Sequence, residues 1–375
     1  MSSETVYDYA VIGAGISGSA IAHFLTQTGK SVALIDKVGV AGGASGAAGA
    51  FLAPKVAKGG YLFELVNRAF LYSIEFYEHK APELLTKKGL LHSAAKDFEK
   101  SRFEYFAQNH SEWLQKPKLF NELKEEFYKD ALFFHEGALV ASKEMCEKLT
   151  QDCSFFKDDV NSLEFREHWL INNSLKAKQV ILTTGHEKLL DETHIKIRAI
   201  LGQRCDVYTA THIPYNLHQE VSVSATKEDS SVTIGATHHR EETELVIRDE
   251  DNIELLDLAS KLVDLKDVKI KESFVGVRAG SYDYLPLLGK VVDTKKTLLE
   301  FPSLLHDYKA KKDELVYYPN LYMVNGVGGR GFVLAPYLAK LLSEHLLEEK
   351  PLDEELEPSR FFYRECKKRG ATWRK

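Results

Sequence analysis

The sequence has few of the features that mark secreted, membrane or metal-binding proteins. Its 375 residues include only four cysteines, none of them in a CxxC pair. This excludes a zinc ribbon and a disulfide framework, and it favours reduced, buried thiols. No run of about 18 apolar residues is present, so no membrane-spanning helix is predicted. The first residues lead directly into a strand-like segment without a basic and then apolar leader, which predicts a cytoplasmic protein. The histidines are scattered, and no metal site is predicted.

The chain also lacks low-complexity tracts and internal repeats. With 44% apolar and 28% charged residues it has the composition of a folded globular protein. Its length exceeds one ordinary domain of ~100–200 residues. The net charge is −6, yet the last 16 residues contain seven basic residues and one acid. This basic tail predicts phosphate contacts, with a solvated, frayed terminus as the alternative.

The first motif with a chemical meaning is a βαβ unit at the N-terminus. An apolar strand at 6–12, a helical pattern at 19–28 and a second strand at 31–35 follow one another. The intervening GxGxxG allows a tight turn, close approach of the backbone to a pyrophosphate and close helix packing. The acid after the second strand is placed to bind ribose hydroxyls, and the helix N-terminus faces the anion. The predicted dinucleotide contacts are Gly13, Ala14, Gly15, Ile16, Ser17, Gly18, Asp36 and Lys37.

A run of small residues follows at 42–49. Such a loop exposes several backbone N–H groups and the hydroxyl of Ser45, which suits further phosphate contacts. A flexible linker is the alternative, but a linker would be more polar and would not lead directly into an apolar strand. The predicted contacts are Gly43, Ala44 and Ser45.

Another glycine loop lies near the opposite end of the chain. A strand at 321–324 runs into Asn-Gly-Val-Gly-Gly-Arg-Gly at 325–331, and an apolar helix begins after it. This loop cannot hold the same pyrophosphate, but its backbone donors suit the pyrimidine edge of a flavin, where a reduced ring carries negative charge. Two such sites indicate FAD rather than NAD. The predicted contacts are Gly326, Gly328, Gly329, Arg330, Gly331 and Phe332.

The middle of the chain predicts two kinds of sheet. A buried strand at 180–182 ends at Thr184 and Gly185, at the edge where doubly wound sheets bind ligands. These two residues, and Val160 in an earlier strand, are predicted cofactor contacts. Residues 80–134 have a helical, charged pattern, whereas 199–290 alternate strands with one helix. We predict an α/β fold with a Rossmann-type FAD-binding domain (1–80, 135–200 and 315–375) and a smaller α+β substrate domain with a mostly antiparallel sheet (81–134 and 201–314).

Arg278 ends an apolar strand and precedes a polar turn. Such an arginine is either a surface residue or a carboxylate clamp. The planar guanidinium suits the second role because it binds a carboxylate bidentately.

Along nearly its whole length the chain resembles the D-amino-acid-oxidase/glycine-oxidase (DAO) superfamily of flavoenzymes. Further segments extend the resemblance, namely the GASG loop at 43–46 with Pro54 and residues 70–77, 201–204, 235–237, 248–252, 285–289, 329–336 and 358–361. In these segments the chain resembles, more narrowly, the FAD-dependent oxidoreductase domain of MnmC, the bifunctional enzyme that modifies the wobble uridine of tRNA. It departs from the family pattern at Ala47, where such loops usually continue with Asn, which puts one flavin contact in doubt.

The resemblance implies an FAD-dependent amine oxidoreductase with a DAO-like fold. Its substrate would be 5-carboxymethylaminomethyl-(2-thio)uridine in tRNA, oxidised at the C–N bond to glyoxylate and 5-aminomethyluridine, with O2 as the electron acceptor. Arg278 would clamp the glycine carboxylate and Arg330 would lie beside the flavin, as the catalytic pair. Lys55 and Tyr282 are further predicted substrate contacts.

The same resemblance implies partners and a mode of cofactor binding. Neither glycine loop contains Cys or His, so the FAD is expected to be non-covalent. The basic tail is expected to contact tRNA. The sequence has no methyltransferase half, so a separate methyltransferase is an expected partner.

Two other interpretations stay open. An oxidase or dehydrogenase of small amines, such as glycine, sarcosine or a D-amino acid, would have the same active site but no use for the tail. A flavin-binding protein without catalysis would serve as a partner or regulator. Peroxide released from free amino acids would indicate the first, and a flavin that no substrate bleaches would indicate the second.

Overall fold

The computed structural model describes residues 5–305 and 310–373, with side chains as far as residue 368. The strands in these ranges are β1 Val6–Ile12, β2 Val32–Asp36, β3 Phe51–Leu52, β4 Leu85–Lys87, β5 Leu90–His92, β6 Leu114–Gln115, β7 Leu132–Phe134, β8 Ala138–Val140, β9 Ser154–Lys157, β10 Leu163–Phe165, β11 Trp169–Ile171, β12 Leu175–Leu182, β13 Ile197–Tyr208, β14 Asn216–His218, β15 Ser222–Val223, β16 Ser231–Gly235, β17 His239–Arg240, β18 Lys269–Ser281, β19 Leu287–Val292 and β20 Tyr317–Asn325. The helices are α1 Ile16–Gln27, α2 Tyr61–Lys80, α3 Asp97–Asn109, α4 Glu125–Tyr128, α5 Ser142–Leu149, α6 Asp249–Ser260, α7 Thr294–Glu300, α8 Gly331–Glu348 and α9 Ser359–Trp373.

The first sheet is built on the N-terminal βαβ unit. Its parallel strands lie in the order β9-β2-β1-β12-β20, and β10, β11 and β19 add antiparallel edges. The central strands are nearly continuous apolar runs because both sides of the sheet are buried: α1, α2 and α8 cover one side, and a second apolar cluster that includes Trp169 and Phe361 covers the other. This is the doubly wound arrangement predicted from the GxGxxG segment.

The second sheet has the strand order β17-β13-β16-β15-β14-β5-β7-β6, with β18 paired along the length of β13. Its pairs are antiparallel except β5 with β14. The predicted mixed fold with a mostly antiparallel second sheet is therefore confirmed. Residues 80–134 contain α3 and α4, but they also supply β5, β6 and β7 to this sheet, so the expectation that they are simply helical is wrong.

The predicted division of the chain into two domains stays a prediction. One strand that it assigns to the substrate domain pairs in the sheet of the FAD-binding domain. Strand β19 falls in the segment assigned to the substrate domain, yet it pairs antiparallel with β20 in the first sheet. The buried residues Leu287 and Leu288 explain this placement, because they join the apolar core of that sheet.

Residues 360–373 of the predicted basic tail lie in helix α9. The guanidinium of Arg360 donates to both carboxylate oxygens of Asp283, at 2.9 and 3.1 Å, and Arg364 donates to the same carboxylate at 2.6 Å. Phe361 and Phe362 are buried in the core. Arg360 is therefore not available to phosphate, contrary to expectation, because it anchors the helix in a buried ion pair. The side chains of Arg369 and Trp373 lie outside the described residues, as do Arg374 and Lys375 in full.

All four cysteines lie in the described ranges, and none of them forms a disulfide. Among the helices of the described chain, none combines the length and the apolar content needed to cross a membrane.

Candidate active site

The turn after β1 at Gly13 is in direct backbone contact with the start of α1 at Gly18 and with the end of β12 at Thr183. Gly13 has φ +104°, and a Cβ on it would meet the carbonyl oxygen of Thr183 at 2.4 Å. A Cβ on Gly18 would lie 1.9 Å from the carbonyl oxygen of Gly13. Both positions require glycine, and the close contact brings the N-terminus of α1 to the carboxyl edge of the first sheet.

Asp36 organises the same turn. Its Oδ2 accepts from the backbone N–H of Ala14 at 2.8 Å, and its Oδ1 accepts from Val38 and Gly39 at 2.9 and 3.0 Å. A carboxylate has about four lone-pair positions. These three bonds orient the group while leaving it able to accept one more donor, such as a ribose hydroxyl.

The loop at 42–49 docks onto the first turn of α1. The hydroxyl of Ser45 accepts from the backbone N–H of Ile16 at 2.9 Å. Arg204, from β13, donates to the carbonyl oxygen of Ala47 at 2.9 Å and packs 3.8 Å from the ring centroid of Phe274. The two small-residue segments predicted to bind phosphate therefore form one surface.

The glycine loop at 325–331 joins this surface from the other end of the chain. Asn325 accepts from the N–H of Gly326 and donates to the carbonyl oxygen of Gly185, both at 2.8 Å. A Cβ on Gly331 would meet the Cγ2 atom of Ile16 at 3.1 Å. The N-terminal ends of α1 and α8 are therefore adjacent, which is what a single cofactor served by both loops requires.

These segments line a cavity of about 750 Å³ between the two sheets. Three of the predicted cofactor contacts, Ala14, Gly18 and Gly326, do not line the cavity. They belong to the loops that form its wall. The predicted residues that line it are Gly13, Gly15, Ile16, Ser17, Asp36, Lys37, Gly43, Ala44, Ser45, Val160, Thr184, Gly185, Arg278, Gly328, Gly329, Arg330, Gly331 and Phe332.

Arg278 and Arg330 place two cations at this cavity. Arg278 donates to the carbonyl oxygen of Thr237 at 3.2 Å, and a Cβ on Gly202 would lie 2.2 Å from its Nη2. Burial lowers the pKa of both guanidinium groups, although each residue keeps some exposed surface because it faces the cavity. Neither arginine pairs with a carboxylate among the residues that the structure describes, so the site suits an anionic ligand.

The two other predicted substrate residues do not line the cavity. Lys55 lies behind it, where burial and the charges of Arg330 and Arg102 lower its pKa. Tyr282 is 46% exposed outside the cavity and stacks on Arg198. Their predicted contacts with substrate stay predictions.

Two histidines that the sequence did not single out also line the cavity. His92 on β5 and His218 on β14 are register partners, and their ring centroids are 4.5 Å apart. Burial, with the nearby charge of Arg330, lowers the pKa of His218 to about 4 and that of His92 well below its usual range. Both rings are therefore neutral at pH 7. No motif links residues so far apart in the sequence, so only the pairing of β5 with β14 reveals them.

The family assignment agrees with this geometry. A family model described as DAO, FAD dependent oxidoreductase, matches residues 8–345. The chain belongs to this family. The cofactor of this DAO-family protein is therefore FAD. The residues of this site fit FAD. The cavity is bordered by glycines that leave no room for a Cβ, by two helix N-termini and by an oriented carboxylate.

Relatives and solved structures extend the assignment. The tRNA 5-methylaminomethyl-2-thiouridine biosynthesis bifunctional protein MnmC of Campylobacter concisus (strain 13826) is 28% identical over 381 residues, covering 96% of this chain and 60% of the relative. The chain thus spans about three fifths of the length of the curated relatives it matches.

Glycine oxidase from Bacillus cereus ATCC 14579 superimposes with a TM-score of 0.73 at 19% identity, covering 93% of this chain and 97% of that one. Iminodiacetate oxidase from Chelativorans sp. BNC1 superimposes with a TM-score of 0.71 at 20% identity, covering 93% and 98%. These two likenesses establish the DAO fold.

Proposed function

We propose that this chain oxidises the C–N bond of an N-substituted glycine carried on tRNA, 5-carboxymethylaminomethyl-(2-thio)uridine. With water and O2, the overall reaction gives 5-aminomethyl-(2-thio)uridine, glyoxylate and hydrogen peroxide. The observation that carries the proposal is the pair Arg278 and Arg330. Both are desolvated cations without a carboxylate partner in the described chain, and both face the cavity where the glycine loops meet.

The cofactor would be held non-covalently by the surfaces described above. The first turn of α1 and the 42–49 loop would bind the pyrophosphate, and Asp36 would bind a ribose hydroxyl. The loop before α8 would face the flavin ring. When bound, FAD supplies the two-electron oxidation of the C–N bond.

Arg278 would bind and orient the substrate carboxylate. Its bond to Thr237 and the space left by Gly202 direct the guanidinium toward the cavity. A planar guanidinium binds a carboxylate through two parallel hydrogen bonds, which sets the direction of the adjacent methylene group. Arg330 would bind the same anion or stabilise negative charge that develops beside it.

The charges around the cavity also favour the neutral form of the substrate amine. Arg278 and Arg330 are cationic, whereas His92 and His218 are neutral at pH 7. Nearby positive charge disfavours a protonated amine. The nitrogen lone pair is then available, as oxidation to an imine requires.

The tRNA part of the proposal rests on the relatives. Their name describes biosynthesis of 5-methylaminomethyl-2-thiouridine in tRNA. The proposed product lacks one methyl group compared with that nucleoside, so a methyltransferase is the partner that we propose.

Oxidation of a small amine is the second candidate, and one observation favours it. Asp283 binds Arg360 and Arg364, so two of the cations that suggested a tRNA-binding tail have a structural role. The Arg278 clamp would serve glycine or sarcosine equally well.

Nucleoside mass spectrometry separates the two candidates. tRNA from cells that lack this modification step is analysed before and after incubation with the purified yellow protein. Loss of carboxymethylaminomethyluridine with gain of aminomethyluridine supports the proposal. Unchanged tRNA, with peroxide released from free glycine or sarcosine, would reject it and favour a small-amine oxidase.

A further inference from the structure

A cluster of one arginine and two tyrosines lies on the surface outside the cavity. The Arg198 guanidinium is 4.2 Å from the ring centroid of Tyr282 and 5.7 Å from that of Tyr284. The two tyrosines are 46% and 67% exposed. Arg198 also donates to the carbonyl oxygen of Tyr282 at 3.3 Å, which fixes their relative positions. We refer to Arg198, Tyr282 and Tyr284 as the aromatic platform.

Arg198 of the platform lies on the same side of the sheet as Arg278. In the β13–β18 ladder Arg278 is opposite Ile200, and Gly280 is opposite Arg198. Residues directly opposite each other, and residues two apart along a strand, share one side of a sheet. Strand β18 ends at Ser281, three residues or roughly 10 Å beyond Arg278 at the usual rise of a strand, and Tyr282 begins the turn that follows. On that side of β18 only Gly280 lies between Arg278 and the end of the strand, and the Cδ1 atom of Ile200 packs 3.6 Å from where a Cβ on Gly280 would be.

Positive charge lies on two elements that adjoin the platform, α9 and the start of β13. Asp283, between the two tyrosines, is the residue on which α9 docks, and it is neutralised by Arg360 and Arg364. The Arg364 side chain remains 49% exposed, and Lys367 and Lys368 on the same helix are exposed, as is Lys196 beside Arg198. Exposed aromatic rings beside clustered cations match the base and phosphate of an unpaired nucleotide.

We propose that the aromatic platform stacks a base of the RNA that neighbours the nucleotide held at Arg278, while α9 and Lys196 contact its phosphates. The inference rests on the proposed function and assigns the part of this chain that recognises tRNA beyond the reacting group. Tyr282 thus contacts the polynucleotide rather than the glycine moiety.

The test uses the FAD-loaded full chain and an anticodon stem-loop RNA bearing the proposed substrate nucleoside. Binding is measured by fluorescence anisotropy for the parent, for Tyr282→Ala/Tyr284→Ala and for Tyr282→Phe/Tyr284→Phe. Tyr208→Ala is the matched control, because Tyr208 is 41% exposed and lies 5.6 Å from Lys271 at the opposite end of β13. The visible flavin spectrum and the melting temperature verify that each variant is folded.

We expect the alanine variant to bind RNA roughly 5- to 150-fold more weakly, with a matching rise in KM, as loss of one stacked base predicts. The phenylalanine variant and Tyr208→Ala should bind like the parent. If the alanine variant binds RNA like the parent while the parent still converts the RNA, the RNA-binding role of the platform is rejected and the proposed function stands. A parent that neither binds nor converts the RNA would reject both.

Discussion

At the scale of single residues, Arg278 tests the active-site assignment most directly. Arg278→Ala should lower kcat/KM for an N-substituted glycine by roughly 30-fold or more, because the substrate carboxylate would lose its charged partner in a desolvated site. Steady-state oxidation, followed by peroxide release, measures this effect. Arg240→Ala is the matched control, because Arg240 is exposed on β17 opposite Ile200. Parent-like kcat/KM for the Arg278 variant with bound FAD would contradict the clamp.

Gly18 tests the backbone contact that builds the cofactor loop. An added Cβ would lie 1.9 Å from the Gly13 carbonyl oxygen, and backbone atoms cannot move aside as a flexible side chain can. We expect Gly18→Ala to lose about 1–3 kcal/mol of unfolding free energy and most of its FAD. Gly43→Ala, with open space around its Cβ, should keep the unfolding free energy of the parent. Urea unfolding and the flavin-to-protein absorbance ratio measure both quantities, and equal stabilities would contradict the argument.

At the scale of elements, the anchoring of α9 makes stability depend on pH. Burial opposes ionisation of Asp283, but Arg360 and Arg364 outweigh it and lower its pKa to about 2. Because this pKa lies below the ordinary value of 3.8, the carboxylate stabilises the fold above about pH 4. That contribution is lost as the pH falls toward 2.

Asp283→Asn should therefore cost about 3 kcal/mol at pH 7, because Arg360 would be buried without a counter-charge. The difference from the parent should shrink between pH 4 and pH 2. Asp8→Asn is the control: the pKa of Asp8 is also about 2, but its partner Lys178 is 56% exposed, so solvent screens the pair and the loss is smaller. Urea unfolding at several pH values measures both variants. A difference for Asp283→Asn that does not change with pH would show that the ion pair is not the anchor.

The sequence predicts an element well when the residues that specify it are close together in the chain, and poorly when contacts with distant segments specify it. The βαβ unit and the loop before α8 were predictable because glycine spacing, an apolar strand and a helix start lie within a few residues of one another. Strands β5, β6 and β7 have two or three residues each. Such short segments in a charged stretch carry no readable period, and their place in the sheet, where β5 pairs with β14, β7 with β5 and β6 with β7, is decided by tertiary contacts.

At the scale of the whole molecule, the candidate site is assembled from segments far apart in the chain. The sequence predicted that the two glycine loops bind one FAD and that Arg278 is a carboxylate clamp, and in the structure all three line one cavity. It gave no sign of His92 and His218, which meet only because β5 pairs in parallel with β14. It also suggested a phosphate-binding role for Arg360, because charge counts do not reveal that Asp283 receives this side chain.

Because both sheets contribute to the cavity wall, FAD should stabilise the chain as a whole. Ligand that binds only the folded state adds about 2.7 kcal/mol when its concentration is 100 times Kd. We expect the FAD-free protein to melt at a lower temperature than the yellow protein, with the loss recovered as FAD is titrated back. FMN, which lacks the adenosine that Asp36 and the first turn of α1 would bind, should restore less stability. Thermal unfolding followed by circular dichroism measures both, without any need for substrate. If FMN and FAD raise the melting temperature equally, the N-terminal glycine loop does not hold the adenosine half of the cofactor.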